Sequence, residues 1–227
     1  MVIPKIIHQT WKTRKLPEDF DNWSKSWKNL NPNWDYRFYD DRDCWKFIYN
    51  NYPEFIDLYD SLIPIQRADI FRYLILHKYG GVYVDMDTMC FKPLDSLTNN
   101  VNSLITGIEY EGNESGITTM QYLQWFIASP PGHNTLIEFV KEVERRNWYL
   151  WFYSLFKTEN SITYWLTGPE MFTSVINDTN EFVKIMPKGI LGCYDTRKLT
   201  SESYLNHFFK GSWKKNWSKN RIPHYTL

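Results

Sequence analysis

The segment from residue 64 to residue 87 constrains the fold of this chain more than any other. Residues 64–79 are mostly apolar and begin with a proline, which is tolerated at the first position of a helix, so they predict a buried helix. Gly80-Gly81 can adopt the positive φ angles that end helices. Residues 82–84 then predict a short buried strand. A helix that leads through a tight turn into such a strand is typical of α/β proteins.

The rest of the chain continues this alternation and shows no repeat or linker. We therefore predict one α/β domain over residues 1–227, with a mainly parallel, Rossmann-like sheet flanked by helices. The aromatic segment 148–156 predicts no particular element. Strands are predicted at 3–8, 34–39, 82–84, 103–110, 182–186 and 190–194, and helices at 17–30, 41–50, 64–79 and 133–146.

The charge balance excludes some classes of partner. Lys and Arg together number 26, as do Asp and Glu, so no net field attracts nucleic acid or an anionic membrane. No stretch approaches the roughly 20 apolar residues of a membrane span. The expected location is therefore cytoplasmic, or luminal if a targeting segment has been removed. Aromatic residues make up 18% of the chain, which suits either a sugar-binding surface or an aromatic core.

Asp85 and Asp87 follow the strand predicted at 82–84. Residues two apart in an extended chain point to the same side, so the two carboxylates converge. Convergent carboxylates suit a hard divalent cation such as Mn2+ or Mg2+. Ligands of open α/β sheets also collect at the carboxyl ends of strands, where this pair lies. The pattern predicts a metal site, although most D-x-D triplets, taken alone, are exposed turns.

Asp69 and Arg72 lie three residues apart and so share one face of the helix predicted at 64–79. A charged pair on a mostly apolar helix is costly unless the charges are paired or functional. The pair is therefore either part of a binding site or an internal salt bridge between helix and sheet. Arg67 is interpreted as a solvated or structural residue.

Four motifs together resemble those of glycosyltransferase family 32. They are the opening IPKIIHQTWK, the central RADIFRYLILHKYGGVYVDMDT, the triplet TGP and the late HFFKGSWK. The family includes fungal initiating α-1,6-mannosyltransferases and capsular polysaccharide sugar transferases, and is distantly similar to the clostridial glucosylating toxins. The resemblance implies a GT-A fold and a metal-dependent, retaining transfer of a hexose from a nucleotide-diphosphate sugar.

The resemblance also implies roles for individual residues. Asp69 and Arg72 would hold the donor sugar and phosphate, and Asp85 would contact sugar or ribose hydroxyls beside a metal held by Asp87. Asp85, Arg72 and Asp69 are thus the candidate catalytic residues. His207 is a further candidate metal ligand, with packing among aromatic residues as the alternative. The donor-binding candidates are Trp11, which would stack on the base, Tyr83, which would line the nucleotide pocket, and Ser212 and Trp213, which would close over the diphosphate.

Several alternatives remain open at this point. The resemblance favours mannose from GDP-mannose, with a UDP-hexose as the alternative donor and a glycan or other hydroxyl compound as acceptor. Residues 82–88 also fit the phosphatases of the haloacid dehalogenase class, with Asp85 as nucleophile, although no later acidic pair follows. An aromatic-rich carbohydrate-binding protein that has lost catalysis is the non-enzymatic alternative. For Trp11 and Trp213, the alternative to donor binding is a place in the aromatic core.

Overall fold

The computed structural model describes residues 1–112, 119–155, 158–193 and 199–211. A 3-10 turn, Pro53–Phe55, precedes the third helix. The strands are β1 (Ile6–Thr10), β2 (Asp35–Tyr39), β3 (Gly81–Val84), β4 (Thr88–Cys90), β5 (Leu104–Tyr110), β6 (Gln121–Tyr122), β7 (Phe126–Ser129), β8 (Val183–Met186) and β9 (Leu205–His207). The helices are α1 (Glu18–Leu30), α2 (Asp41–Asn51), α3 (Ile56–Ser61), α4 (Pro64–Tyr79), α5 (Asp95–Thr98), α6 (Asn134–Trp148), α7 (Leu150–Ser154), α8 (Glu159–Leu166) and α9 (Pro169–Asp178).

Seven strands form a central mixed sheet in the order β2-β1-β3-β7-β5-β6, with β8 beside β5. β1 pairs in parallel with β2 and β3, while β7 runs antiparallel to both β3 and β5. Because β8 is parallel and β6 antiparallel to β5, strands β1, β2, β3, β5 and β8 share one direction and only β6 and β7 oppose it. The predicted mainly parallel sheet flanked by helices is confirmed.

Two hydrophobic clusters cover the two faces of this sheet. Side chains alternate along β3. Tyr83 packs in the cluster formed with α2, α4, α6 and α9, whereas Val82 and Val84 pack on the other face, in the cluster that contains Trp27 of α1. The strands are thus buried on both faces, which explains why they are apolar without strict alternation.

The turn between α4 and β3 depends on glycine. Gly80 has a φ of 64°, and a Cβ atom placed on it would lie 2.7 Å from the rings of Pro4 and Pro131. Gly81 also has a positive φ, of 98°. Glycine alone tolerates both constraints, so the chain can pass directly from a buried helix to a buried strand. The predicted Gly-Gly helix stop is confirmed.

The predicted helices and most predicted strands are present, with three differences. The first strand begins at Ile6 rather than at residue 3, because the Ile6 amide bonds to the carbonyl of Pro4 in a tight turn. The strand predicted at 190–194 is wrong for its described part, where Gly189 and Gly192 form an isolated bridge. Within the unassigned aromatic segment, Leu150–Ser154 is helical. No helix in the described parts of the chain has both the length and the hydropathy that crossing a bilayer requires.

Candidate active site

The carboxyl ends of the parallel strands meet at one edge of the sheet, and the candidate residues gather there. Trp11 follows β1, and Asp85 follows β3. The side chain of Gln9 fixes the start of the D-x-D turn by donating to the carbonyl oxygen of Asp85 at 3.1 Å. This edge is where open α/β sheets bind their ligands.

Asp85, Asp87 and His207 form a cluster in which one ligand atom of each lies within 4.8 Å of the others. The Nε2 atom of His207 is 3.0 Å from Oδ1 of Asp87 and 4.0 Å from Oδ2 of Asp85. The ribbon of β4 and β9 produces this proximity, because its register places His207 opposite Thr88, directly after the D-x-D turn.

Two backbone amides and an aromatic ring hold Asp87 and His207 in place. The backbone amide of Lys210 donates to Oδ2 of Asp87 at 3.0 Å, and the amide of Phe208 donates to the Asp87 carbonyl at 2.9 Å. The His207 ring stacks on Trp125 with 4.7 Å between ring centroids. Although burial opposes it, the hydrogen bonds from His207 and Lys210 keep the pKa of Asp87 below its ordinary value. Asp87 is therefore a pre-positioned, ionised carboxylate.

Arg72 joins α4 to the D-x-D turn. Its guanidinium lies 2.7 Å from Oδ1 of Asp69 and 3.4 Å from Oδ1 of Asp85, and it donates to the carbonyl of Gln124 at 2.7 Å. The guanidinium also lies over the ring of Tyr83, 4.8 Å from its centroid. Burial alone would lower the pKa of Arg72, but Asp85, Tyr83 and Asp69 raise it, so the side chain stays cationic. The pair is thus an internal ion pair that also reaches the D-x-D turn.

Asp69 is almost completely buried, with 5% of its surface exposed. Burial raises its pKa to about 6, although Arg72 and the hydroxyl of Thr167 act in the opposite direction. Thr167 donates to Oδ2 of Asp69 at 2.7 Å. The pKa of Asp85 is also raised, by burial and by the neighbouring charge of Asp87, while Arg72 opposes the rise. A cation near Asp85 would therefore relieve repulsion between two close carboxylates.

Trp11 and Tyr83 occupy the same edge. The Tyr83 side chain is buried, and its hydroxyl lies 3.1 Å from Oγ1 of Thr10. The Trp11 ring packs against Phe20 with 4.4 Å between centroids, and its buried indole nitrogen has no hydrogen-bond partner among the described residues. Trp11 is only half-buried, so part of its ring remains available to a ligand.

The donor set of the cluster fits a divalent cation. Two carboxylates and one imidazole nitrogen converge from one turn and one strand, and such a set suits Mn2+ better than Mg2+ because Mg2+ prefers oxygen ligands. Within the described residues the cluster offers three ligand atoms, so phosphate oxygens and water could complete the coordination of a bound ion. Asp85, Asp87 and His207 could therefore hold the ion.

The structure brings most of the candidate residues together. Tyr83, Arg72 and Asp69 connect to the cluster of Asp85, Asp87 and His207 through the contacts above. Ser212 and Trp213 lie outside the described residues. His8 is a strand histidine with both ring nitrogens satisfied, since they contact the Gly80 carbonyl and the Tyr39 hydroxyl. Arg67 is structural, as expected, because it donates to two backbone carbonyls, those of Tyr59 and Asp60.

Sequence reasoning missed two positioning residues. Thr167 belongs to the TGP triplet, a family motif to which no role was assigned, and its hydroxyl holds Asp69 while Pro169 begins α9. Gln124 gives its carbonyl to Arg72 and its side-chain amide to the Thr167 carbonyl, at 2.9 Å, and to the Tyr73 hydroxyl. The position of Thr167 in a motif was a usable signal, whereas nothing in the sequence marks Gln124.

Residues 17–104, which include the D-x-D turn, match the family model described as the glycosyltransferase sugar-binding region containing a DXD motif. The chain thus carries a segment with the sugar-binding region of this DXD-containing family. The resemblance inferred from the four motifs is thereby confirmed, and the family generally binds a divalent metal.

Fungal mannosyltransferases are similar to this chain in sequence. Inositol phosphoceramide mannosyltransferase 3 of Schizosaccharomyces pombe is 48% identical over a stretch that covers 42% of this chain and 27% of that protein. The initiation-specific alpha-1,6-mannosyltransferase of the same organism is 28% identical, over 93% of this chain and 64% of that protein. The chain thus spans between about a quarter and two thirds of the length of these curated relatives.

A solved structure shares the fold. The catalytic domain of alpha-toxin from Clostridium novyi superposes with a TM-score of 0.58 at 13% sequence identity, covering 96% of this chain and 80% of that domain. At this identity the likeness shows the fold alone, and it confirms the predicted GT-A glycosyltransferase fold.

Proposed function

We propose that residues 1–227 form one catalytic domain of a metal-dependent, retaining glycosyltransferase that moves mannose from GDP-mannose to a hydroxyl group. The observation that carries this proposal is the convergence of Asp85, Asp87 and His207 beside the Arg72–Asp69 pair in a chain that carries this DXD segment. Both relatives described above are named as mannosyltransferases, which supports mannose as the sugar. Their names differ in the acceptor, so the proposal goes no further than a hydroxyl group on a glycan or a lipid.

Each residue would have a distinct task. Asp87 and His207 would bind a divalent cation, together with Asp85, and the bound cation would supply a Lewis acid for the departing diphosphate. Arg72 would place a second, permanently charged group beside the same oxygens, in a buried setting where charge interactions are strong. Asp69 would fix the Arg72 guanidinium and face the sugar. Tyr83 and Trp11 would line the nucleotide, and Ser212 and Trp213 remain predicted to close over the diphosphate.

Retention of configuration would follow from displacement on one face of the sugar. The bond between the anomeric carbon and the phosphate oxygen breaks, the acceptor oxygen bonds to the same carbon from the same side, and the departing phosphate takes the acceptor proton. This route is proposed because no residue is assigned as the carboxylate nucleophile that retaining glycosidases use. The phosphatase and the inactive binding protein are not supported by the family match or by the fold.

Replacement of Asp87 by Asn tests the metal site. The change removes one anionic ligand while keeping the side-chain shape, so Mn2+-dependent hydrolysis of GDP-mannose should be abolished and the melting temperature without metal should change little. Asp57→Asn on α3 makes the same charge change at an exposed position and should leave hydrolysis intact. Mn2+-dependent turnover retained in Asp87→Asn would contradict the assignment.

The donor is tested separately with a panel of GDP- and UDP-sugars, with and without Mn2+. A true donor at 100 times its dissociation constant should stabilise the fold by about 2.7 kcal/mol, which a thermal shift detects. We expect GDP-mannose to give the largest shift and the fastest metal-dependent hydrolysis. A clear preference for a UDP-sugar would overturn the choice of GDP-mannose and leave the glycosyltransferase assignment standing.

A further inference from the structure

Glu109 is a carboxylate at the carboxyl end of β5 that the proposed reaction leaves without a role. β5 shares its direction with β3, because β7 runs antiparallel to both, so the carboxyl end of β5 lies at the same edge of the sheet as the D-x-D turn. The Glu109 side chain is only partly exposed. A carboxyl group removed from water is costly unless its oxygens are satisfied by the protein or by a ligand.

A β-bulge aims the Glu109 side chain. Ile108 pairs with Tyr122 of β6, whereas Tyr110 pairs with Gln121, so two steps along β5 match one step along β6. Glu109 is the residue between these pairs. Bulges change the direction of a side chain and are frequent beside active sites. The pairing of β5 is thus irregular at the one charged residue that the strand contains.

The protein holds one oxygen of Glu109. Nε2 of Gln121 donates to Oε2 at 2.6 Å, and within the parts of the chain that the structure describes Oε1 accepts no hydrogen bond. Burial raises the pKa of Glu109 to about 7, against the hydrogen bond from Gln121 and the charges of His207 and Lys188. Gln121 therefore fixes the orientation of the carboxyl group near the cluster that contains His207, and Oε1 can accept a hydrogen bond from a ligand.

The loop before β7 lies between Glu109 and the D-x-D turn. On one side of this loop the Asp85 amide donates to the Trp125 carbonyl at 2.9 Å, and on the other the Leu123 amide donates to the Gly107 carbonyl at 3.0 Å. Because neighbouring strands lie about 4.8 Å apart, the ends of β3 and β5 are roughly 10 Å apart. A hexose whose diphosphate is bound at the D-x-D turn would therefore lie between Asp85 and Glu109.

Glu109 lies on the side of the site that is away from the proposed nucleotide. Trp11 follows β1 and Tyr83 belongs to β3, whereas β5 lies beyond β7 in the sheet. The donor would thus extend from its base near β1 to its sugar in front of β7. A side chain at the end of β5 would meet the molecule that approaches this sugar from the opposite direction, which is the acceptor.

Lys188 supplies the complementary charge at the end of the next strand. β8 runs parallel to β5 with Met186 opposite Gly107, and continuation of this register brings Lys188 beside Glu109. A carboxylate accepts hydrogen bonds and an ammonium group donates them, whereas a hydroxyl does both. The two side chains together suit a compound that carries several hydroxyls, such as a sugar or a cyclitol.

We propose that Glu109 binds a hydroxyl of the acceptor through Oε1, with Gln121 fixing its orientation and Lys188 beside it. The carboxyl ends of β5 and β8 then form the acceptor subsite, and the acceptor is a polyol. Glu109 positions this polyol, while the departing phosphate still takes the proton of the reacting hydroxyl. This inference rests on the proposed function, because it places the second substrate of the same transfer.

The partition of the donor between transfer and hydrolysis tests the inference. The whole chain receives Mn2+, the nucleotide sugar that it hydrolyses fastest, and either methyl α-mannoside or myo-inositol. The glycosylated polyol and the free sugar are measured in the same reaction. In Glu109→Gln the ratio of transfer to hydrolysis should fall by roughly ten- to a hundredfold, the range for loss of a hydrogen bond to a charged group. Glu144→Gln makes the same change on the exposed surface of α6 and should leave the ratio unchanged.

The ratio does not depend on how much of a variant is folded, because both products come from the same active molecules. An unchanged ratio in Glu109→Gln, or an equal fall in Glu144→Gln, would overturn the inference and leave the proposed function in place. A wild-type chain that hydrolyses the donor but glycosylates neither polyol would do the same. A fall in Glu109→Gln with only one of the two compounds as substrate would support the inference and identify the acceptor as a sugar or a cyclitol. A wild-type chain that turns over no nucleotide sugar would overturn the proposed function, and this inference with it.

Discussion

At the scale of single residues, Trp11 combines a fixed position with an available ring. Its amide donates to the Tyr39 carbonyl at 3.1 Å, which anchors its backbone, and its ring leans on Phe20. If this ring stacks on the base, Trp11→Ala should weaken GDP binding by about 1–3 kcal/mol, the range for base stacking on aromatic side chains. Trp11→Phe should recover part of that loss. Unchanged calorimetric affinity in Trp11→Ala would make Trp11 a packing residue.

His207 packs against Trp125 and also lies where it could bind the metal, so a variant that tests metal binding must keep the packing. His207→Phe retains a ring that can stack on Trp125 and removes the nitrogen next to Asp87. We expect the Mn2+ concentration for half-maximal donor hydrolysis to rise by at least roughly tenfold, because loss of a direct ligand should cost no less than loss of a group that only supports a ligand. Titration of activity with Mn2+ measures this. A variant with normal metal dependence would leave His207 with a packing role only.

At the scale of elements, His8 ties three parts of the fold together. Its Nε2 contacts the Gly80 carbonyl at 2.9 Å, where α4 turns into β3, and its Nδ1 contacts the Tyr39 hydroxyl at the end of β2. Burial lowers the pKa of His8 to about 4, with the Gly80 contact and Asp35 opposing and Arg37 adding. In the unfolded chain the pKa should be near 6.5.

The sign of the resulting pH dependence follows from these two values. Above pH 6.5 the histidine is neutral in both the folded and the unfolded chain, so it adds no pH dependence to the free energy of unfolding there. Between pH 6.5 and 4 only the unfolded chain takes up the proton, so the free energy of unfolding should fall, by about 3 kcal/mol in all. Urea denaturation across this range measures the slope. Gln does not titrate, so the His8→Gln variant should lose the part of the pH dependence that comes from His8. An unchanged slope in this variant would contradict the assignment to His8.

The sequence predicted the elements whose signals are local. The helix at 64–79, its glycine stop and the following strand are contiguous, so spacing alone placed Asp69, Arg72, Asp85 and Asp87 on one helix face and at one strand end. The short strands β4 and β9 carry too few residues to show a period, and their pairing joins Thr88 to a residue far along the chain. His207 could therefore be proposed only through the family resemblance.

Other parts of the site depend on packing that a sequence does not display. Gln124 lies in a short loop before β7 and contacts Arg72 through its backbone carbonyl, which every residue type has. β7 itself runs antiparallel between β3 and β5, and a short apolar strand gives no sign of its direction or its neighbours. The sheet class was predictable from the alternation of elements, whereas its strand order required the structure.

At the scale of the whole molecule, the tryptophan content divides between core and surface. Trp27 is completely buried in the cluster on one face of the sheet, and its indole donates to the Thr88 carbonyl at 3.1 Å, directly beneath the ribbon that carries His207. Trp151 of α7, by contrast, is 69% exposed. A rich aromatic composition therefore reflects both a packed interior and an uncovered surface helix.

Replacement by alanine at these two positions should change the free energy of unfolding by very different amounts. Trp27→Ala removes a large buried ring and orphans the Thr88 carbonyl, so it should reduce the free energy of unfolding by about 3–5 kcal/mol and weaken Mn2+ binding through the loosened ribbon. Trp151→Ala removes almost no buried surface and should change stability by no more than about 0.5 kcal/mol. Urea denaturation of both variants measures the difference. Equal losses would mean that Trp151 is covered in solution, and a stable Trp27→Ala variant would show that the core beneath β4 is not what holds the metal site together.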